Sequence, residues 1–189
     1  MHRLASCPGI DPPEDVVLVE QPPADVLLLS SAGTDLSCLE AVVQASPDWS
    51  RRIRALHLDN LSHPAQLDHY LASTATQARL IVVRLLGSRG HWSYGLEQLQ
   101  RWSEEVADRQ LLVLAGTVDQ QGDLHGIGTV VPSLADRLAA LLREGGETNM
   151  ARLLDAIQAL LNGTPPDSEE IEVAPLADPF PWDWQDDPG

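Results

Sequence analysis

A chain of 189 residues with 43% hydrophobic and 21% charged positions is large enough for one domain with its own core and too short for two comfortable ones. Its formal charge of −16 argues against nucleic acid, whose binding relies on clustered cations. All 12 basic residues are arginine, so every chemistry that needs a lysine is excluded: a Walker A phosphate loop, a Schiff base, a lysine general base.

The opening, Met1 to Asp15, is turn-rich and has no apolar run behind its basic residue, so no signal peptide is read there. No apolar stretch approaches the roughly 20 residues that cross a bilayer. A cytoplasmic location is therefore expected. Cys7 and Cys38 form no CxxC pair and are read as reduced, inert thiols.

Asp25 to Ser30 is a short, continuous apolar run, as in a strand buried on both faces. Ser31-Ala32-Gly33 breaks it, and Thr34 or Asp35 can cap a helix carrying Leu36, Leu39, Val42 and Val43, with Pro47 as its stop. A second strand is predicted over Ile53 to Leu58. Ser62-His63-Pro64 then opens a helix with the stripe Leu67, Tyr70 and Leu71.

Arg79 to Leu86 is the strongest strand of the sequence, stopped by Gly87. A helix from about Ser93 to Asp108 buries Leu96, Leu99 and Val106, and Leu111 to Ala115 is a fourth strand ended by Gly116. Two helices follow, one opened by Pro132-Ser133 and closed by Gly145-Gly146, the other carrying Met150 to Leu161 and closed by Gly163.

Strands alternating with helices predict an α/β fold: an open, flavodoxin-like parallel sheet of about four strands with helices on both faces, followed by two C-terminal helices. The domain is assigned to residues 1–163. Residues 164–189 hold eight acidic side chains, six prolines and no basic residue, and read as an extended acidic linker leading into further chain.

Several chemical signatures fail on inspection. Gly126-Ile127-Gly128 begins a dinucleotide-like pattern, but Val131 stands at its third glycine and no strand leads into it. Gly87-Ser88-Arg89-Gly90 lies where phosphate loops occur, yet a short βα turn needs the same residues. His57, His63 and His69 are six apart and do not share a helix face, and no HExxH or GxSxG motif exists.

One positional argument survives. In open α/β sheets the loops after the strands' carboxyl ends carry function, and here they hold Thr34 and Asp35, Asp59 and Asn60, Arg84 to Tyr94, and Thr117 to Asp119. An arginine at the end of a buried strand needs a partner, so Arg84 is expected to pair with Asp35 or Asp59. Trp92 and Tyr94 read as a candidate partner-facing patch, or as core, and Trp182 and Trp184 as docking residues in the tail. Asp35, Arg84, Trp92 and Tyr94 are the candidate interface or ligand-facing residues. No catalytic, cofactor-binding or metal-ligating residue is nominated.

Val82-Val83-Arg84-Leu85-Leu86-Gly87 followed by His91-Trp92-Ser93-Tyr94-Gly95 resembles the cobaltochelatase large-subunit family: an arginine-bearing strand, a glycine turn, then an aromatic-Trp-x-Tyr-Gly helix start. The family usually has glycine at Ser88, an aromatic at His91 and proline at Ser93. Met1 to Ala5 with Pro8-Gly9, Ser31 to Asp35, Asn60 to Pro64, Thr129 to Pro132 and Arg143 to Asn149 resemble further family segments, collinear over residues 1 to about 162.

The resemblance implies the N-terminal, non-catalytic head of an ATP-dependent enzyme that inserts Co²⁺ into hydrogenobyrinic acid a,c-diamide in cobalamin biosynthesis. This fragment itself would bind no cofactor. The parent complex would use ATP and Mg²⁺ on AAA+ subunits of the CobS and CobT type, with Co²⁺ and a corrinoid or other tetrapyrrole as substrates. Downstream domains of the same subunit would be further partners. The alternatives are a fragment of the related magnesium chelatase H subunit, acting on protoporphyrin IX and Mg²⁺, and a free-standing α/β interaction or sensor module.

Overall fold

The computed structural model describes residues 16–176. Four parallel strands, β1 (Val26–Ser30), β2 (Ile53–His57), β3 (Leu80–Leu85) and β4 (Gln110–Ala115), form one sheet in the order β2-β1-β3-β4. The expected α/β class is therefore observed, with the strand order of the flavodoxin-like folds.

The central strands explain their sequences. All residues of β1 and β3 are buried, because helices cover both faces and neither face can be polar. Val26, Leu28, Val82, Leu112 and Leu114 point to one layer, built from α1 (Gly33–Gln44), α6 (Pro132–Glu144) and α7 (Glu147–Leu161). Leu27, Leu29, Ile81, Val83, Leu111 and Val113 point to the other, with α3 (Pro64–Ser73), α4 (Ser93–Glu105) and α5 (Val118–Leu124). The alternation is the two-residue period of the pleat. Each fully buried leucine or valine contributes about 1.5–3 kcal/mol.

Local signals set the helix ends. His63 caps α3 by accepting from Ala65 N while Gln66 reaches back to the His63 amide, and Pro64 fills the first turn. Gly145, at φ 76°, ends α6 in a conformation that favours glycine.

Besides Val106, which stands 46% exposed just past the end of α4 instead of buried on it, three expectations need correction. Pro47 does not merely stop a helix; it starts α2 (Pro47–Arg52), since proline is as well suited to a first helical position as to a break. The loop after β4 is shorter than expected, because α5 begins at Val118. Gln121 and Leu124 are its buried residues, too few for a readable stripe.

The third concerns the start of the acidic segment. Residues 164–176 form no helix or strand and turn once at Asp167 to Glu170, but they are docked on the α6–α7 pair. Arg137 Nε donates to Ile171 O, Arg152 Nη1 donates to Glu172 O, and Asn149 exchanges two hydrogen bonds with Ala174. Ile171 and Val173 pack against the core of that face. Trp182 and Trp184, like Met1 to Ala5, Cys7 and Pro8-Gly9, lie outside the described residues.

The two glycine-rich loops have structural roles. Gly128 passes so close to β4 that a Cβ there would lie 2.6 Å from Leu111 O, and Thr129 N donates to the same carbonyl at 2.8 Å. In the turn after β3, Gly87 has φ 119°, and Ser88 Oγ lies 3.2 Å from His91 Nδ1. Ser88 and His91, two of the three positions that depart from the family pattern, thus pair with each other.

Candidate functional site

The strand order reverses between β1 and β3, and the crevice outside their carboxyl ends is where open α/β sheets take ligands. The register places Ser30, the last residue of β1, beside Arg84 on β3. Ser31 N donates to Arg84 O at 3.0 Å and holds the two strand ends together.

Arg84 Nη1 donates to Asp35 Oδ1 across this junction, and Ser30 Oγ donates to Asp35 Oδ2. Ser30 Oγ in turn accepts from Ala32 N at 3.0 Å. Asp35 is 4% exposed and Arg84 7%. Asp35 sits in the first turn of α1, where the helix dipole favours a carboxylate. It therefore faces inward to the arginine and is not the helix cap; the capping position is Ala32. Burial pushes the Asp35 carboxyl above its ordinary range, against the opposing pull of Ser30 and Arg84.

The structure chooses between the two partners considered for Arg84. Asp59 stands beside His57 on the exposed rim of β2, and β1 lies between it and β3. Asp35 reaches Arg84 because α1 begins directly above β1.

Beyond the ion pair opens a cleft of about 350 Å³ lined by Thr34, Asp35, Cys38, Arg84, Arg143 and Met150, among others. Arg143, from the last turn of α6, was not a sequence candidate. Among the described residues, its Nη1 is buried without a hydrogen-bond partner, as is Arg84 Nε. Burial and the nearby Arg84 charge lower the Arg143 pKa, with Asp136 opposing. Burial, then Glu147 and Asp35, raise that of the Cys38 thiol.

Trp92 and Tyr94 are not part of this crevice. Trp92 Nε1 donates to Leu61 O at 3.1 Å, and Tyr94 OH donates to Asp68 Oδ1 at 2.7 Å. Both tie the start of α4 to the α3 side of the sheet, so the four candidates separate into a buried pair and two anchors. Tyr94 remains partly exposed.

The histidines also have local partners: His57 accepts from Asp59 N, His69 contacts Glu20 and His125 contacts Asp136. Among the described residues, no three His, Cys, Asp or Glu side chains converge as a metal-ligand group. Among them, too, no helix is long and apolar enough to cross a membrane.

No family model matches the chain. It is 36% identical over 165 residues to the aerobic cobaltochelatase subunit CobN of Sinorhizobium sp., covering 86% of this chain and 13% of that protein. The CobN subunit of Pseudomonas aeruginosa is 31% identical over 150 residues, covering 79% of this chain and 12% of its own length. Among solved structures, the catalytic subunit of cobaltochelatase from Mycobacterium tuberculosis matches with a TM-score of 0.59 and 21% identity, over 82% of this chain and 11% of that one. The last likeness shows a shared fold. The chain spans about an eighth of the length of these curated relatives.

Proposed function

This chain is a homologue of one segment of the CobN family of cobaltochelatase subunits, and on that premise we propose that it forms the N-terminal, non-catalytic head domain of such a subunit. The observation that carries the reading is 36% identity across 86% of the chain. The activity of the whole subunit would be insertion of Co²⁺ into hydrogenobyrinic acid a,c-diamide. ATP and Mg²⁺ would be used on separate AAA+ subunits, in the cytoplasm.

What supports a non-catalytic role is the chemistry of the crevice. Asp35 and Arg84 are spent on each other, and Ser30 Oγ points its proton at Asp35 and takes another from Ala32 N, so none of the three is poised as a nucleophile or base. A lysine-free chain likewise cannot supply a Walker A site, which fits ATP hydrolysis on partner subunits.

The test uses a cobaltochelatase large subunit lacking this segment, assayed with its AAA+ partners for Co²⁺ insertion. Adding this chain in trans is expected to restore insertion, while the chain alone leaves the corrinoid absorption bands unchanged. Full activity of the deleted subunit, or a saturable spectral change with this chain alone, would overturn the reading.

A further inference from the structure

We infer that the groove between α6 and α7 is a binding site for an extended acidic peptide, which residues 171–176 fill in cis and can vacate while the domain stays folded. The inference goes beyond the chelatase reading and does not rest on it. Groove side chains hold this segment by its main chain. Arg137 Nε donates to Ile171 O, Arg152 Nη1 donates to Glu172 O at 2.7 Å, and Glu144 Oε1 accepts from Leu176 N at 2.8 Å. Asn149, 1% exposed, donates to Ala174 O and accepts from Ala174 N, both at 2.8 Å, as a residue of a neighbouring strand would.

Main-chain contacts do not read side chains, so selection falls to the apolar positions. Ile171 and Val173 pack on the core of this face, while Glu172 between them is exposed. That is the two-residue period of an extended chain. Charge adds a second preference: Arg152 Nη2 lies 3.4 Å from the Glu172 carboxylate, so an acidic residue between two apolar ones matches the groove. Main-chain bonds for affinity with seats for alternate side chains are the logic of recognition by strand addition.

The segment is also placed to leave. None of residues 164–176 is buried, although the segment makes five hydrogen bonds to the groove. Two partly buried apolar side chains are set against the entropy of ordering the whole stretch, which puts it at the low-stability end of the fold. Helices cover both faces of the sheet, and this segment lies outside them.

The test uses the full chain and a fluorescein-labelled synthetic peptide of residues 167–176, followed by anisotropy at constant ionic strength. A variant carrying Ile171→Asp and Val173→Asp, whose own segment cannot seat, should bind the peptide saturably. Wild type should bind at least about tenfold more weakly, because the tethered segment competes at high effective concentration. Ala174→Pro, which removes the N–H whose bond Asn149 Oδ1 accepts, should fall between them. Adding Asn149→Ala to the double variant should abolish binding, and a peptide with the same two aspartate substitutions should not bind. Hydrogen exchange should leave the β1 and β3 amides of the double variant as protected as in wild type. Loss of that protection would make the segment part of the core and overturn the proposal. So would an absence of saturable binding, equal binding to wild type and the double variant, or no gain in Ala174→Pro. Binding that survives Asn149→Ala, or that the doubly substituted peptide shares, equally overturns it.

Discussion

The indole of Trp92 fills the space that a Cβ on Gly95 would need, its nearest ring atom only 2.2 Å from that position. The Trp-x-x-Gly spacing at the start of α4 is thus a packing requirement. The ring lies over the first helical turn while its Nε1 reaches Leu61 O.

Gly95→Ala is therefore expected to destabilise the domain by about 1–3 kcal/mol, the usual cost of overpacking. In a Trp92→Leu background the same substitution should cost much less, since the clash partner is gone. Urea denaturation of the four proteins measures the coupling, and additive costs would refute the packing account.

Removing one member of the Arg84–Asp35 pair strands the other in a buried site. Asp35→Leu alone should cost about 3–5 kcal/mol, whereas Asp35→Leu combined with Arg84→Met should recover most of that loss. Equilibrium unfolding distinguishes this from independent contributions. A double variant as unstable as the sum of the singles would show that the pair's polar bonds, and not its mutual neutralisation, hold the junction.

The protein has two tyrosines, and both phenols are shifted upward, Tyr70 by burial and Tyr94 chiefly by its hydrogen bond to Asp68. A raised folded value means stability that is complete below the ordinary phenol pKa of about 10 and is lost as pH climbs through the elevated one. Alkaline titration of phenolate absorbance should show neither tyrosine ionising at pH about 10 in the native state. Tyr94→Phe should remove part of the alkaline loss of stability. A phenol titrating at its ordinary value with near-UV dichroism intact would contradict this.

Cys38 faces the cleft with its thiol raised by burial and by Glu147 and Asp35. In a Cys7→Ser background, iodoacetamide at pH about 8 is expected to alkylate it several-fold more slowly than a free thiol, because the thiolate is the nucleophile. Denaturant should restore the free rate. Equal native and denatured rates would count against the shift.

The strands were legible because a parallel sheet covered on both faces demands unbroken apolar runs, and Leu27 to Leu29 and Leu80 to Val83 have no other reading. The partners for Arg84 were narrowed to two, and topology alone separated them: strand order decides which loop stands over β3. Arg143 could not be nominated, since it reaches the crevice from α6, 59 positions beyond Arg84, through a packing that no local pattern encodes. The docking of residues 164–176 did leave a trace. Ile171-Glu172-Val173 alternates apolar and acidic, the two-residue period of an extended segment with one face covered, but its acidic, proline-rich surroundings masked it.

The passage of Gly128 and Thr129 alongside β4 has a consequence for self-association. Thr129 accepts from Leu111 N through its hydroxyl and donates to Leu111 O through its amide, so that rim presents fewer open backbone groups. At the opposite rim, Gln21 donates to Ala55 O and Arg54 to Ile53 O. A neighbouring molecule seeking to add its own strand would have to displace side chains at both flanks, an obstacle of the kind that keeps β-proteins from templating aggregates.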